Sequence, residues 1–458
     1  MTPILHALLA PFRYVRNDDG SYTVLRLLDK TSVSVIVPEE VTEIAPNAFD
    51  GASKLKKIYL PATLKRVGAS AFFGCKALKE IHLGDLLSYI TIDFDGPSAS
   101  PGTFASRFYY KGELITHFTV PEGTTRIKPF TFTGMACLES LTIPEGVTAI
   151  GADAFANCGI RSLHLPDSCT SIGSYAFSGN TALSSVCLPQ GLSEIPDGLF
   201  SSCHALKEIS LPKSVVTIGS SAFSYAGLCE ITLPDGVKRI GESAFRQCTA
   251  LEKVTFPSAL SYLDDYAFYQ CEALKEVKLP DSVTYVGHYA FAYCTALTTL
   301  HFPKSKATIG KNTVLECPSL TECILPNALY TSGTLYALKP YRENMGNYRL
   351  SEDESAYLAK LPLAEQIALF SLTLLRVSLR DGEECGRMQI KRRLNEEDNC
   401  RILIVKEGII VGVGYNTVDL LCGIDTVTYD AEENNGSGTK GLEEIATLQV
   451  KIPARGER

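Results

Sequence analysis

Apolar positions along this chain recur with a period of 23 residues, twice shortened to 22. Prolines mark the period at Pro38, Pro61, Pro121, Pro144, Pro166, Pro189, Pro212, Pro234, Pro257, Pro280, Pro303 and Pro326, with Gly84 where a further one would fall. In each unit an aliphatic residue lies three positions after the proline and another three later, commonly followed by glycine, as in Val237, Ile240 and Gly241. An Ala-Phe pair comes next in most units, giving Phe49, Phe72, Phe132, Phe155, Phe177, Phe200, Phe223, Phe245, Phe268 and Phe291. Cys75, Cys158, Cys203, Cys248, Cys271 and Cys294 each stand three residues after a phenylalanine, and Cys317 holds the same place after Val314. A Leu-x-x-Ile-x-Leu-Pro string closes the unit, as in Leu274, Val277, Leu279 and Pro280.

A unit this short cannot bury its own apolar face, so neighbours must stack until equivalent residues form ladders. The last apolar residues of each unit alternate with polar ones, which predicts a short strand with one face in the core. Twelve units between Pro38 and Leu325 therefore predict a solenoid of parallel strands of the α/β type. The two shortened units lose their residue just after the cysteine position, at Asn157-Cys158-Gly159-Ile160 and Tyr225-Ala226-Gly227-Leu228, which marks a turn that glycine allows to contract. The one long unit, 84–120, carries extra residues rich in Gly, Ser and Pro near 93–110 and is expected to project as a loop.

The string Leu-Pro-x-x-Val-x-x-Ile-Gly-x-x-Ala-Phe-x-x-Cys-x-x-Leu-x-x-Ile-x-Leu-Pro resembles the BspA-like leucine-rich repeats. The segment from Phe12 through Asp18-Asp19-Gly20 to Val24 looks like the capping hairpin that opens many such proteins, and Asp-Gly between extended runs supports a hairpin independently. The resemblance implies a leucine-rich repeat fold and a surface role in adhesion or host-protein binding. Three segments are thus expected: a capping hairpin over 1–37, the solenoid over 38–335 and a small non-repeating α+β domain over 336–458. In the last, Ser351-Glu352-Asp353-Glu354 reads as a helix start that Pro362 interrupts, either as a kink or as the break before a second helix over 363–379, and Arg401–Val405 with Ile409–Val413 as two strands joined by a tight turn, with a third strand near 425–429.

Chemistry is sparse. The 15 cysteines are an odd number without Cys-x-x-Cys spacing, so the ladder reads as packed free thiols and neither a metal site nor a disulfide framework is expected. Residues 336–458 contain no histidine, Gly412-Val413-Gly414 lacks the third glycine of a dinucleotide loop, and Asp425, Asp430, Glu432 and Glu433 do not follow a calcium-loop pattern. His82, His164 and His301 share a repeat position but lie too many coils apart to hold one metal. The net charge of −8 divides evenly between the repeats and the rest, so nucleic acid is not an expected partner. No apolar run reaches the length of a membrane span, and without a basic start the chain is expected in the cytoplasm, with the cell surface as the alternative the resemblance implies. No cofactor and no catalytic activity are expected; the alternatives are a structural spacer and an enzyme or regulatory module in the last segment.

One concentrated feature remains. Tyr262, Tyr266 and Tyr269 lie in one unit and Tyr285, Tyr289 and Tyr293 in the next, the first two pairs at matched offsets and Tyr269 and Tyr293 at adjacent ones, all at variable positions of the repeat. Tyrosine combines large contact area with few rotors and a polar tip, so the six are candidates for contact with a protein partner. The alternative is that they shield the edge of the coil.

Overall fold

The computed structural model describes residues 9–320, apart from 304–306 and 311–312, and beyond them only separate strands between Glu322 and Lys451. It divides into two compact units, residues 1–274 and 275–458. The first begins with an antiparallel pair, Phe12–Arg16 with Tyr22–Leu27, whose second strand then runs parallel to Val41–Ile44. From there the chain winds as a parallel-strand solenoid, one strand of three or four residues per coil on one face and a two-residue strand on another.

The repeat string is laid out as the ladders require. In the coil after Pro234, the side chains of Val237, Ile240, Ala244, Phe245, Cys248 and Leu251 are fully buried. The phenylalanine rings stack in series: Phe223 on Phe245 at 5.3 Å and Phe245 on Phe268 at 5.0 Å between centroids, both nearly coplanar. Six of the ladder thiols, at Cys75, Cys158, Cys203, Cys248, Cys271 and Cys317, face the carbonyl of the phenylalanine one coil back, as Cys271 Sγ does to Phe245 O at 3.1 Å. Where Asn180 stands in place of cysteine, its amide donates to both Phe155 O and Phe177 O, at 2.9 and 2.8 Å.

Helix is scarcer than an α/β assignment implies. Among the described residues the helical elements are Leu86–Tyr89, capped by Asp85, and two three-residue 3-10 turns at Pro97–Ala99 and Pro101–Thr103. The reason lies in the segment around each phenylalanine. Residues two before and two after it take left-handed backbone, as at Tyr266 and Gln270 around Phe268, and alternating handedness breaks a helix. Backbone hydrogen bonds run between coils instead, from Phe245 N to Ala267 O at 2.8 Å and from Gln247 N to Tyr269 O at 2.7 Å. The fold is therefore a parallel β-solenoid of leucine-rich repeat type.

The long unit does not project as a plain loop. Ala99, Pro101, Gly102, Ala105 and Phe108 are buried, and Tyr89 is fully buried with its ring edge-on to Phe94 and Phe108. Gly102 and Gly134 pack backbone to backbone: a Cβ on Gly102 would overlap the Thr133 carbonyl, and one on Gly134 the Gly102 carbonyl. This unit lacks the Ala-Phe pair, so the inserted residues turn inward to fill the core.

In the second unit, Glu276–Lys278, Thr299–His301 and Glu322–Ile324 continue the parallel pattern. Farther on, Arg401–Lys406 and Ile409–Gly414 pair antiparallel, as their spacing predicts, and Thr426–Asp430 is a strand. Leu374–Leu379 is a strand where the sequence predicts the end of a helix; it pairs parallel with Arg401–Lys406 and antiparallel with Glu384–Arg393, and this pairing outweighs local helix propensity. The expected helix start at 351–354 and most of the α+β segment lie outside the described residues. No helix among the described residues is long and apolar enough to cross a membrane.

Candidate functional site

The outward strand residues form two stripes, and three places on them stand out. The first lies on Lys57–Leu60, Glu80–Leu83 and Arg107–Tyr110, adjacent parallel strands that bring Tyr59, His82 and Tyr109 into one register row. His82 stacks between the two tyrosines, at 4.3 Å from Tyr59 and 4.8 Å from Tyr109. Its side chain is only 18% exposed, so it is not the free polar residue its repeat position predicts. Its Nε2 lies 3.5 Å from Glu80, which pairs with Lys57 at 2.8 Å. That Lys57 hydrogen bond is the main cause holding the Glu80 carboxyl below its ordinary range. Because the rings stack face to face, both faces of His82 and one face of each tyrosine are covered.

The second place holds the tyrosines. Tyr262 is 41% exposed beside Leu263, with the Arg239 guanidinium 5.7 Å from its ring centre and Arg239 itself paired with Asp264 at 2.7 Å. Tyr266 and Tyr269 are half-buried and meet edge to face at 5.6 Å, and Arg246 lies 5.3 Å over Tyr269. Arg246, whose position in the repeat faces outward, is thereby half-buried. In the other unit Tyr285 begins a two-residue strand, and Tyr289 and Tyr293 are half-buried at turn positions. Tyr266, Tyr289 and Tyr293 all have left-handed backbone, with φ of 56°, 55° and 61°. A bulky side chain is costly there; Tyr266 and Tyr289 lie two residues before the phenylalanine, where other coils carry Ser243 and Gly198 but also Phe130 and Tyr175, and Tyr293 lies two after, where others carry Asn157 and Gly179 but also Tyr225.

The third place was not legible in the repeat. At the core position of the main strand, Val35, Ile58, Ile81, Phe108, Phe118, Leu141, Leu163, Ile231, Val254, Val277 and Leu300 are buried, whereas Val186 and Ile209 are half-exposed. Residues 208–210 form no strand, although they carry the strand pattern. Ser185–Cys187 pairs with Ser162–His164, and Glu230–Thr232 with Lys253–Thr255, but neither pairs with the rung between them. A cleft of about 770 Å³ lies here, its lining including Val186, Ile209, Leu211 and Ile231 together with Glu208, Lys213, Glu230, Asp235 and Lys253. The following coil is one of the two contracted ones: Gly227 sits so tightly against the His204 carbonyl that a Cβ would overlap it.

Among the described residues no three His, Cys, Asp or Glu side chains gather as a metal site requires. The thiols titrate high through burial, with Cys75, Cys203 and Cys248 pushed up to about 12, which suits packing and not nucleophilic attack.

A model of the BspA type leucine rich repeat region matches in six copies over residues 29–93, 103–229 and 216–336. Among solved structures, a leucine rich cell surface protein from Faecalibacterium prausnitzii aligns at 23% identity and a TM-score of 0.48, covering 69% of this chain and 93% of that one. A leucine-rich repeat protein from Bacteroides ovatus aligns at 25% identity and a TM-score of 0.40, covering 73% of this chain and 96% of that one. The pneumococcal vaccine antigen PcpA aligns at 22% identity and a TM-score of 0.39, over 68% of this chain and 71% of its own. Comparison with curated proteins gave no match. With its repeat string laid out coil by coil and the family match spanning most of residues 29–336, the chain belongs to the BspA type leucine-rich repeat proteins.

Proposed function

We propose that the chain is a non-enzymatic scaffold that binds a protein partner through the outer surface of its solenoid, with Tyr262, Tyr266 and Tyr269 in one unit and Tyr285, Tyr289 and Tyr293 in the other as contact residues. The observation that carries this reading is the backbone under the tyrosines. Three of the six occupy left-handed turns; other coils carry single aromatic residues at such turns, at Phe130, Tyr175 and Tyr225, but here they gather in two successive coils, and that concentration at costly positions points to a use for the side chains. Solenoids offer extended surface for such contacts. Family membership favours the cell-surface alternative over the cytoplasmic one, since the family's members are often surface proteins.

Crosslinking capture from the native cell, with the full-length protein and with a Tyr285→Ser, Tyr289→Ser, Tyr293→Ser variant, tests the reading. Capture of the same protein should fall by more than roughly tenfold in a variant whose melting is unchanged. Equal capture by a folded variant refutes the contact role, and a large loss of thermal stability assigns the tyrosines to shielding the coil edge instead.

A further inference from the structure

Among the described residues Arg246 is the only arginine that is not exposed. It follows Phe245 at the turn, and its guanidinium lies 5.3 Å over the ring of Tyr269 in the next coil. Tyr269 in turn meets Tyr266 edge to face at 5.6 Å. A charge that loses water on partial burial is ordinarily matched by an opposite one, since nothing else replaces its hydration. Arg246 has no such match: among the described residues it makes no ion pair and no side-chain hydrogen bond, and its Nε is closed off from solvent without an acceptor. Glu242, four positions back in the same coil, and Asp265, beside Tyr266, leave it unpaired. Arg239 supplies the contrast. It too lies against a tyrosine, 5.7 Å from the ring centre of Tyr262, yet its Nε and Nη2 both donate to Asp264 Oδ2, at 2.9 and 2.7 Å. The charge of Arg239 is matched within the chain, and that of Arg246 is not.

With Nε closed off, the Nη groups are what the guanidinium has left to offer a ligand. A single guanidinium held on an aromatic face matches a single carboxylate, which it engages through parallel N–H···O bonds. A phosphate carries close to two charges and would leave one unmatched, in a segment that also holds Glu242, Asp264 and Asp265. We infer that Arg246, Tyr266 and Tyr269 form a binding site for an acidic side chain, aspartate or glutamate, of the protein partner, its carboxylate on the Arg246 guanidinium and its stem against the tyrosine rings. Arginine and tyrosine are the residue types that dominate contact energies once a partner excludes water around them. The inference rests on the scaffold reading and deepens it, naming the chemistry that the tyrosine patch receives.

Nitrogen NMR of full-length protein labelled at arginine Nε tests this, with N-acetylglutamate N-methylamide as the probe. The Arg246 and Arg239 signals are assigned by their loss in Arg246→Gln and Arg239→Gln variants. The Arg246 signal should shift with an apparent Kd below about 10 mM, while the Arg239 signal stays in place because Asp264 already occupies that side chain. The glutamine analogue of the probe should bind at least about tenfold more weakly. No shift of Arg246 up to about 10 mM, equal shifts of both arginines, or tighter binding of the phosphoserine analogue overturns the inference. Arg246→Gln should also melt no lower than the parent, because relief of the desolvated charge offsets the lost ring contact. A clearly lower melting temperature would assign Arg246 to bracing Tyr269 and would overturn the inference as well. In the crosslinking assay the same variant should capture the partner protein at least about tenfold less. Undiminished capture by Arg246→Gln, beside reduced capture by the Tyr285→Ser, Tyr289→Ser, Tyr293→Ser variant, would refute the acidic contact and leave the tyrosine contacts standing, so the two failures are read separately.

Discussion

The thiol of Cys248 donates to the carbonyl oxygen of Phe223, one coil back, at 3.0 Å. Cys75 with Phe49, Cys158 with Phe132, Cys203 with Phe177 and Cys317 with Phe291 repeat the pairing at 3.1 to 3.5 Å. The cysteine is small enough for the interior and still satisfies a carbonyl that the turn would otherwise leave buried and unmatched. These thiols should therefore resist alkylation in the native protein, while the exposed Cys187 and Cys229 react. Mass spectrometry after brief iodoacetamide treatment reads the difference, and native modification of Cys248 as fast as of Cys229 would exclude the packed ladder.

The same pairing sets a pH dependence. Burial raises Cys75, Cys203, Cys248 and Cys317 to about 12, whereas an unfolded thiol ionises near 9. The folded state thus keeps protons that the unfolded state gives up between these values, and the thiols' contribution to stability is full below about 9 and declines toward 12. Urea melts at increasing pH should show midpoints falling above about pH 9, and a Cys248→Ala variant should fall less steeply.

Phe245 is wedged between two rings in a fully buried stack, so Phe245→Ala should cost on the order of 3 to 5 kcal/mol. Thr249, exposed in the same coil, should cost less than about 0.5 kcal/mol as alanine. Urea denaturation of the two variants checks the inward and outward assignment, which equal midpoints would contradict.

Gly102 and Gly134 bring the inserted residues against the solenoid backbone, and neither has room for a methyl group. Gly102→Ala should destabilise by about 1 to 3 kcal/mol through displaced backbone. A neutral effect in the same melts would mean that the insertion is not packed as described.

Much of this architecture can be read from the residues. The positions of Phe245, Cys248 and Ile240 alone specify which side chains face the core, because a repeat has one way to stack that buries them all. Two things escape such reading. The helix that the α/β pattern suggests is absent because Tyr266 and Gln270 adopt left-handed backbone, and no side-chain type there announces it. The cleft escapes because Glu208-Ile209-Ser210 looks like any other strand of the repeat. His82 is likewise misjudged from its position, since its environment comes from Tyr59 and Tyr109, 23 residues before it and 27 after.

Amide hydrogen exchange tests most directly the claim that the strand ladder is interrupted at residues 208–211. Exchange of free, full-length protein, followed by mass spectrometry, should show the amides of residues 208–211 exchanging at least about a hundredfold faster than those of Lys253–Thr255, because the latter are held in a strand pair and the former are not. Protection of 208–211 equal to that of Lys253–Thr255 would show the rung to be closed, and would contradict the account.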